Sequence, residues 1–147
     1  MTGLLLALGI LSAACSGDAE TGSVLSEDLG PFSTAEIVVG DGTWLVAVAD
    51  SPAERSQGLR GVIDLGDLDG MLFVFDTTTS TAFTMRGTLM PIDIAFFDAA
   101  GSLVDRLAMV PCTAEPCPSY RAGGQFRYAL ETEAGGFEGI RELALDL

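Results

Sequence analysis

Apolar residues in this chain fall into short runs separated by Gly-, Pro- and Asp-rich corners, the spacing expected of a protein built from β-strands. Ile37 to Val39 and Trp44 to Val48 flank Gly40-Asp41-Gly42-Thr43, and a Gly-Asp-Gly corner between two β-branched runs predicts a hairpin because those residues tolerate positive φ. Alternation puts Trp44, Val46 and Val48 on one face. The period then changes. Ser51, Pro52 and Glu54 have the form of a capping box with proline at the first helical position, so a short helix is expected from Pro52 to about Leu59, with Gly61 to end it.

Met71 to Phe75 is apolar at every position, as in a strand covered on both faces, and belongs at the centre of a sheet. The polar, β-prone run Thr77 to Thr81 suits a connector or an edge. Pro91 can open a strand but cannot donate within one; after it Ile92, Ile94 and Phe96 share one face while Asp93, Ala95 and Phe97 share the other. Asp98 to Gly101 closes a hairpin into Leu103 to Val110. Later, Phe126, Tyr128 and Leu130 alternate with Arg127, Ala129 and Glu131, and a turn at Gly135-Gly136 leads to a last strand near Leu143 to Leu147. Many short strands, one short helix and regular turns predict an all-β body, a compact sandwich or rolled barrel. A length of 147 residues leaves room for one such domain, assigned to residues 36–147.

Ahead of the domain, Gly3 to Cys15 reads GLLLALGILSAAC, an uncharged run too short to span a bilayer and followed at once by polar residues. Ser12, Ala13 and Ala14 before Cys15 resemble the lipobox of bacterial lipoproteins, which implies a signal peptide over residues 1–14 and a lipid on the Cys15 sulfur. Leu11 stands one place from the usual leucine position, and no basic residue precedes the apolar run. Residues 15–35 are expected to form a flexible tether, because their scattered apolar side chains bury too little surface to offset the entropy of ordering.

Charge and missing residue types then narrow the chemistry. The net charge of −14, from 21 acidic and 7 basic residues, argues against nucleic acid and anionic membrane surfaces as partners. All basic residues are arginine, which removes lysine chemistry, and the absence of histidine removes Ser-His-Asp and Cys-His nucleophile systems and imidazole zinc sites. The acidic run Asp64, Asp67, Asp69, Gly70 would need a carboxylate where Leu65 stands to form a calcium loop, and it fits turn-capping better. Cys112 and Cys117 stand five positions apart and in an exported domain should pair, which leaves Cys15 for lipid.

Ala53-Glu54-Arg55 with Gly58-Leu59, Gly70-Met71-Leu72-Phe73, Phe83 with Met85, Thr88-Leu89 with Pro91 to Phe96, Gly101, and Tyr128 to Thr132 together resemble the domain of unknown function 192 family, in family order through residues 36–147. The resemblance implies a compact β-sandwich of jelly-roll type and says nothing of an activity. Where that family usually carries Trp and Asn beside Met85 and Arg86, this chain has Thr84 and Gly87, which alters any ligand surface built on them.

Arg55, Asp93 and Glu131 are the charged residues inside the best-matched motifs, and a carboxylate among apolar neighbours must be paired or solvated. One arrangement is an Arg55 to Asp93 bridge locking helix to sheet. The other is a ligand cleft bordered by Arg55, Met85, Arg86, Asp93 and Glu131, where arginine forks would meet an anionic or hydroxylated ligand. The function read from this is a non-catalytic, lipid-anchored binding or accessory module of the cell envelope. It would be monomeric, without metal or cofactor, and held to the membrane by its N-terminal lipid, with a small molecule or glycan as ligand. Two other classes stand beside it. A glycan hydrolase using Asp93 and Glu131 would place the two carboxyls about 5 to 10 Å apart across an open cleft. A structural assembly protein would have a closed surface near Arg55 and an apolar patch elsewhere.

Overall fold

Strands and one helix follow in the order β1 (Ser33–Val39), β2 (Gly42–Ala49), α1 (Pro52–Gln57), β3 (Gly70–Thr79), β4 (Phe83–Thr84), β5 (Ile92–Phe97), β6 (Leu103–Met109), β7 (Ser119–Tyr120), β8 (Phe126–Glu133) and β9 (Leu145–Asp146). They come from a computed structural model that describes residues 29–140 and 144–147. Seven strands form one sheet in the order β6-β5-β8-β3-β2-β1-β9, and β4 pairs with β7 alone. The pairings are antiparallel except β2 with β3, which run parallel because α1 and the loop after it carry the chain back to the same end of the sheet.

The sheet curls so far that its two margins meet. β9 pairs with β1, while Ala144 bridges Ser102 and the Leu145 amide donates to the Gly101 carbonyl at the β5–β6 turn. Gly101 permits that contact: its φ is +80°, and a Cβ there would stand 1.9 Å from the Leu145 carbonyl oxygen. The result is a mainly β half-barrel with one short helix, the expected class in its rolled form.

Each face of the sheet carries a core. Met71, Phe73, Ile92, Ile94 and Phe96 lie on the helix side with Leu59 and Met85, and Leu72, Ala95, Phe97 and Leu130 lie on the other with Val46, Phe137 and Leu145. β3 therefore lies between β8 and β2 and is buried on both faces through Phe73, as its apolar run requires. Trp44 stacks on Phe137 at 5.6 Å. Cys112 and Cys117 form a disulfide, with Cα atoms 5.5 Å apart.

Four expectations are corrected. The folded body begins before residue 36, because Leu29 and Phe32 are 1% and 7% exposed and join the core, so residues 29–35 are not tether. The helix stops at Gln57, where Gly58 takes φ +49° and its amide caps the Glu54 carbonyl at 2.8 Å. β3 continues through Thr79 rather than ending before a connector. Phe126 does not share a face with Tyr128 and Leu130: it packs in the helix-side core and they pack in the other. The cause is an irregularity between β3 and β8, whose register passes from Val74↔Tyr128 to Thr79↔Phe126 and so breaks strict alternation. Cys15, the expected signal segment 1–14 and the tether to residue 28 lie outside the described residues, as does Leu143 of the expected last strand.

Candidate functional site

Near the end of the β2–β3 ladder, α1 crosses over β3 beside a cleft. The parallel ladder ends at Ala49↔Phe73, so the carbonyls of Asp50 and Val74, one residue further along each strand, lose their cross-strand partners. Arg55 supplies them: its Nη1 donates to the Asp50 carbonyl and, at 2.8 Å, to the Val74 carbonyl. The guanidinium lies 5.1 Å from the centre of the Phe75 ring, a cation–π contact that adds to its hold on β3. The helix is thus fastened over the splayed strands. Its own start is fixed by the capping box, in which the Ser51 amide donates to the Glu54 carboxylate at 2.9 Å and the Glu54 amide to the Ser51 hydroxyl at 3.3 Å.

Between α1, β3 and the segment from Thr81 to Thr88 lies a cavity of about 360 Å³, within the rough 300 to 1,000 Å³ range of small-molecule sites. Phe73, Phe75 and Phe83 give it an aromatic wall, Thr81, Thr84 and Thr88 contribute hydroxyls, and Arg55, Arg60 and Glu131 are its charged lining. Phe83 is held by edge contacts to Phe73 at 5.2 Å and Phe96 at 5.6 Å, so that wall continues into the core.

Glu131 is the unusual member. It stands opposite Ile94 in the β5–β8 register, and so shares the helix-side face of the sheet. Only 7% of it is exposed, and among the described residues its carboxyl has neither a hydrogen bond nor an ion pair. Burial pushes its pKa up to about 8, so the group is largely protonated at neutral pH. Gly70 fixes its height in the sheet, because a Cβ at that position would meet the Glu131 carbonyl oxygen at 2.3 Å. The next residue, Thr132, donates its hydroxyl to the Asp69 carbonyl at 2.7 Å and pins the same point.

A model of the DUF192 family, described as an uncharacterized ACR, matches residues 35–142. The chain belongs to this family. No curated protein matches it. Among solved structures, a Novosphingobium aromaticivorans protein of unknown function is similar at 22% identity and TM-score 0.69, over 94% of this chain and 98% of that one. A Sinorhizobium meliloti protein, described as a candidate transcription regulator, is similar at 24% identity and TM-score 0.67, over 78% of this chain and 94% of that one. Both likenesses concern the fold.

Within this DUF192 domain the five residues expected to border one cleft separate. Arg55 and Glu131 line the cavity together. Met85 is 1% exposed in the core. Arg86 lines a different hollow of about 190 Å³ beside the disulfide and pairs at 2.8 Å with Glu115, both side chains being more than half exposed. Asp93 lies on the opposite face of the sheet, where its carboxylate accepts from the Gly135 amide at 2.9 Å and fixes the turn after β8. The expected Arg55 to Asp93 bridge is therefore absent, since Arg55 serves the Asp50 and Val74 carbonyls instead. The paired-carboxylate arrangement is absent too, because Asp93 and Glu131 point to opposite faces. Sequence reasoning missed Arg60, Phe73, Phe75 and the threonines as lining residues. Nothing in their spacing marks them, since the cavity arises where α1, β3 and the 81–88 segment come together.

Proposed function

We propose that this domain is a non-catalytic binding module, carried on an exported, lipid-anchored chain at the cell envelope, that holds a small polar ligand in the cleft between α1 and β3. One observation carries the reading: Glu131 places a carboxyl without a partner among the described residues in the wall of a cavity of small-molecule size. The carboxyl oxygens open onto the cavity rather than being sealed in the core, so a ligand oxygen or nitrogen entering the cleft can reach and pair with them. The hydrolase alternative loses its support with the separation of Asp93 from Glu131. The assembly alternative requires a closed surface near Arg55, and the cleft opens there.

A thermal-shift screen of the full chain in mild detergent against sugars, organic acids, amino acids and nucleosides tests the binding reading. At least one class should raise the Tm by several degrees, and Glu131→Gln should diminish that rise. A screen without any stabilising class, or one whose shifts ignore Glu131→Gln, refutes the reading. The anchoring half has its own test, because the chain expressed in a bacterium should incorporate labelled palmitate and Cys15→Ala should abolish this. Label retained by Cys15→Ala refutes the lipid attachment.

A further inference from the structure

The charge balance of the cleft runs against that of the chain. Acidic residues outnumber basic ones by 21 to 7, yet among the described residues the cavity is lined by Arg55 and Arg60 with Glu131 as the one acidic residue. Burial favours the neutral form of Glu131 near neutral pH, so the described lining, with two arginines, leans positive inside an acidic body.

The two arginines are also available. With Nη1 of Arg55 engaged by the Asp50 and Val74 carbonyls, Nε and Nη2 have no protein partner among the described residues. Those adjacent donors form the planar fork that takes a carboxylate through two hydrogen bonds. Arg60 is exposed, and among the described residues its guanidinium has neither a hydrogen bond nor an ion pair. Among the described residues, the charged groups lining the cleft with Glu131 are these two arginines, from α1 and the turn after it. β3 presents Phe73 and Phe75, and the 81–88 segment presents Phe83 and threonines, none of which titrates near neutral pH.

We infer that the cleft takes a small organic carboxylate on a hydroxylated body of monosaccharide size, its charge held by Arg55 and Arg60 and one of its oxygens meeting the Glu131 carboxyl. The inference rests on the binding-module reading and narrows it. A cationic ligand would meet two arginines at the entrance, and a purely apolar one would strand the Glu131 carboxyl and the threonine hydroxyls against carbon. A sugar acid satisfies both walls: its C–H face can lie on Phe75 or Phe83, and its hydroxyls can reach Thr81, Thr84 or Thr88. Binding also depends on the proton of Glu131, since an ionised carboxylate in the inner wall would repel the anion.

Calorimetric titration of the full chain in mild detergent at pH 6.5 with glucuronate, glucose, glucosamine and glucose 6-phosphate separates the possibilities, because the four share one ring and differ in head group. Glucuronate should bind at least about tenfold more tightly than the other three. Arg60→Ala should weaken glucuronate about tenfold while leaving the Tm nearly unchanged, because its guanidinium has no partner among the described residues. Between pH 6.5 and 9.5 the affinity for glucuronate should fall at least about tenfold, and Glu131→Gln should flatten that fall. Glucose or glucosamine binding as tightly as glucuronate overturns the anion assignment and leaves the binding module standing. Tighter glucose 6-phosphate binding overturns the choice of carboxylate over phosphate. Binding of none of the four overturns the sugar-acid proposal, and the broader screen above decides the module separately.

Discussion

Glu131→Gln should change how stability depends on pH more than it changes stability itself. Burial lifts the carboxyl from its ordinary 4.5 to about 8 in the folded protein, whereas the unfolded chain releases the same proton near 4.5. Between those values the folded state holds a proton that the unfolded state lacks, so unfolding releases it and rising pH favours unfolding. The stabilisation is complete below about pH 4.5, declines by about 1.4 kcal/mol per pH unit and is gone above about pH 8. Between pH 5 and 9 this one group should lower the unfolding free energy by about 4 kcal/mol, a large fraction of the 5 to 15 kcal/mol typical of a domain. Glutamine preserves the shape and cannot ionise, so the difference between wild type and variant isolates Glu131 from the other acidic residues. Urea unfolding of both proteins at pH 5, 7 and 9 measures it. The wild type should lose about 4 kcal/mol relative to the variant across that range. Parallel curves would show a carboxyl that ionises in its normal range, which would remove both the buried neutral acid and the pH dependence of ligand binding built on it.

The remaining predictions concern the frame around the cleft. Gly101→Ala should expose the Leu145 amide to hydrogen exchange and destabilise the domain by about 3 kcal/mol, since the new methyl would collide with the Leu145 carbonyl at 1.9 Å. Gly61→Ala, at φ +79° with nothing within 4 Å, should cost only the left-handed backbone, about 1 kcal/mol; equal losses in the two variants by urea unfolding would refute the steric account. Arg55→Ala should destabilise by about 2 kcal/mol by leaving the Asp50 and Val74 carbonyls unpaired, whereas Arg60→Ala should fall within about 0.5 kcal/mol of wild type. Cys112→Ser should lower stability by about 2 kcal/mol through the small loop it reopens, and should leave glucuronate binding unchanged because neither cysteine lines the cleft.

The frame was legible wherever a local rule decided it. Ser51, Pro52 and Glu54 announced the helix because a capping box works through neighbouring backbone amides, and Ser51's hydrogen bonds hold the Glu54 carboxyl below the usual carboxylate range. Met71 to Phe73 announced a doubly covered strand because both faces must be apolar there. Period-2 reasoning failed at Phe126, where the β3–β8 irregularity turns the ring into the helix-side core, 4.7 Å from Phe96 and 5.5 Å from Phe75. The two-residue strands β4 and β7 were invisible because such a short pairing has no period to detect. Among the charged residues, Asp93 and Glu131 look alike in sequence, each standing among apolar neighbours. Only the register reveals that one serves a turn amide and the other faces a cavity.

Arg55 shows why structural and binding roles need not compete in this fold. A ladder that ends at Ala49↔Phe73 must satisfy the next carbonyl on each strand, and a single arginine reaching across the gap does so with one nitrogen. The guanidinium is planar and rigid, so anchoring Nη1 also fixes the direction of Nε and Nη2, and the closure of the sheet's seam orients a fork for a carboxylate. Lysine could satisfy a carbonyl there but could not offer a second, directed pair of donors. Arg55→Lys should therefore recover much of the stability lost in Arg55→Ala while failing to restore glucuronate affinity, as unfolding and calorimetry on the same samples would show. Restoration of both properties by lysine would mean that charge alone acts at position 55, and that the fork has no part in recognition.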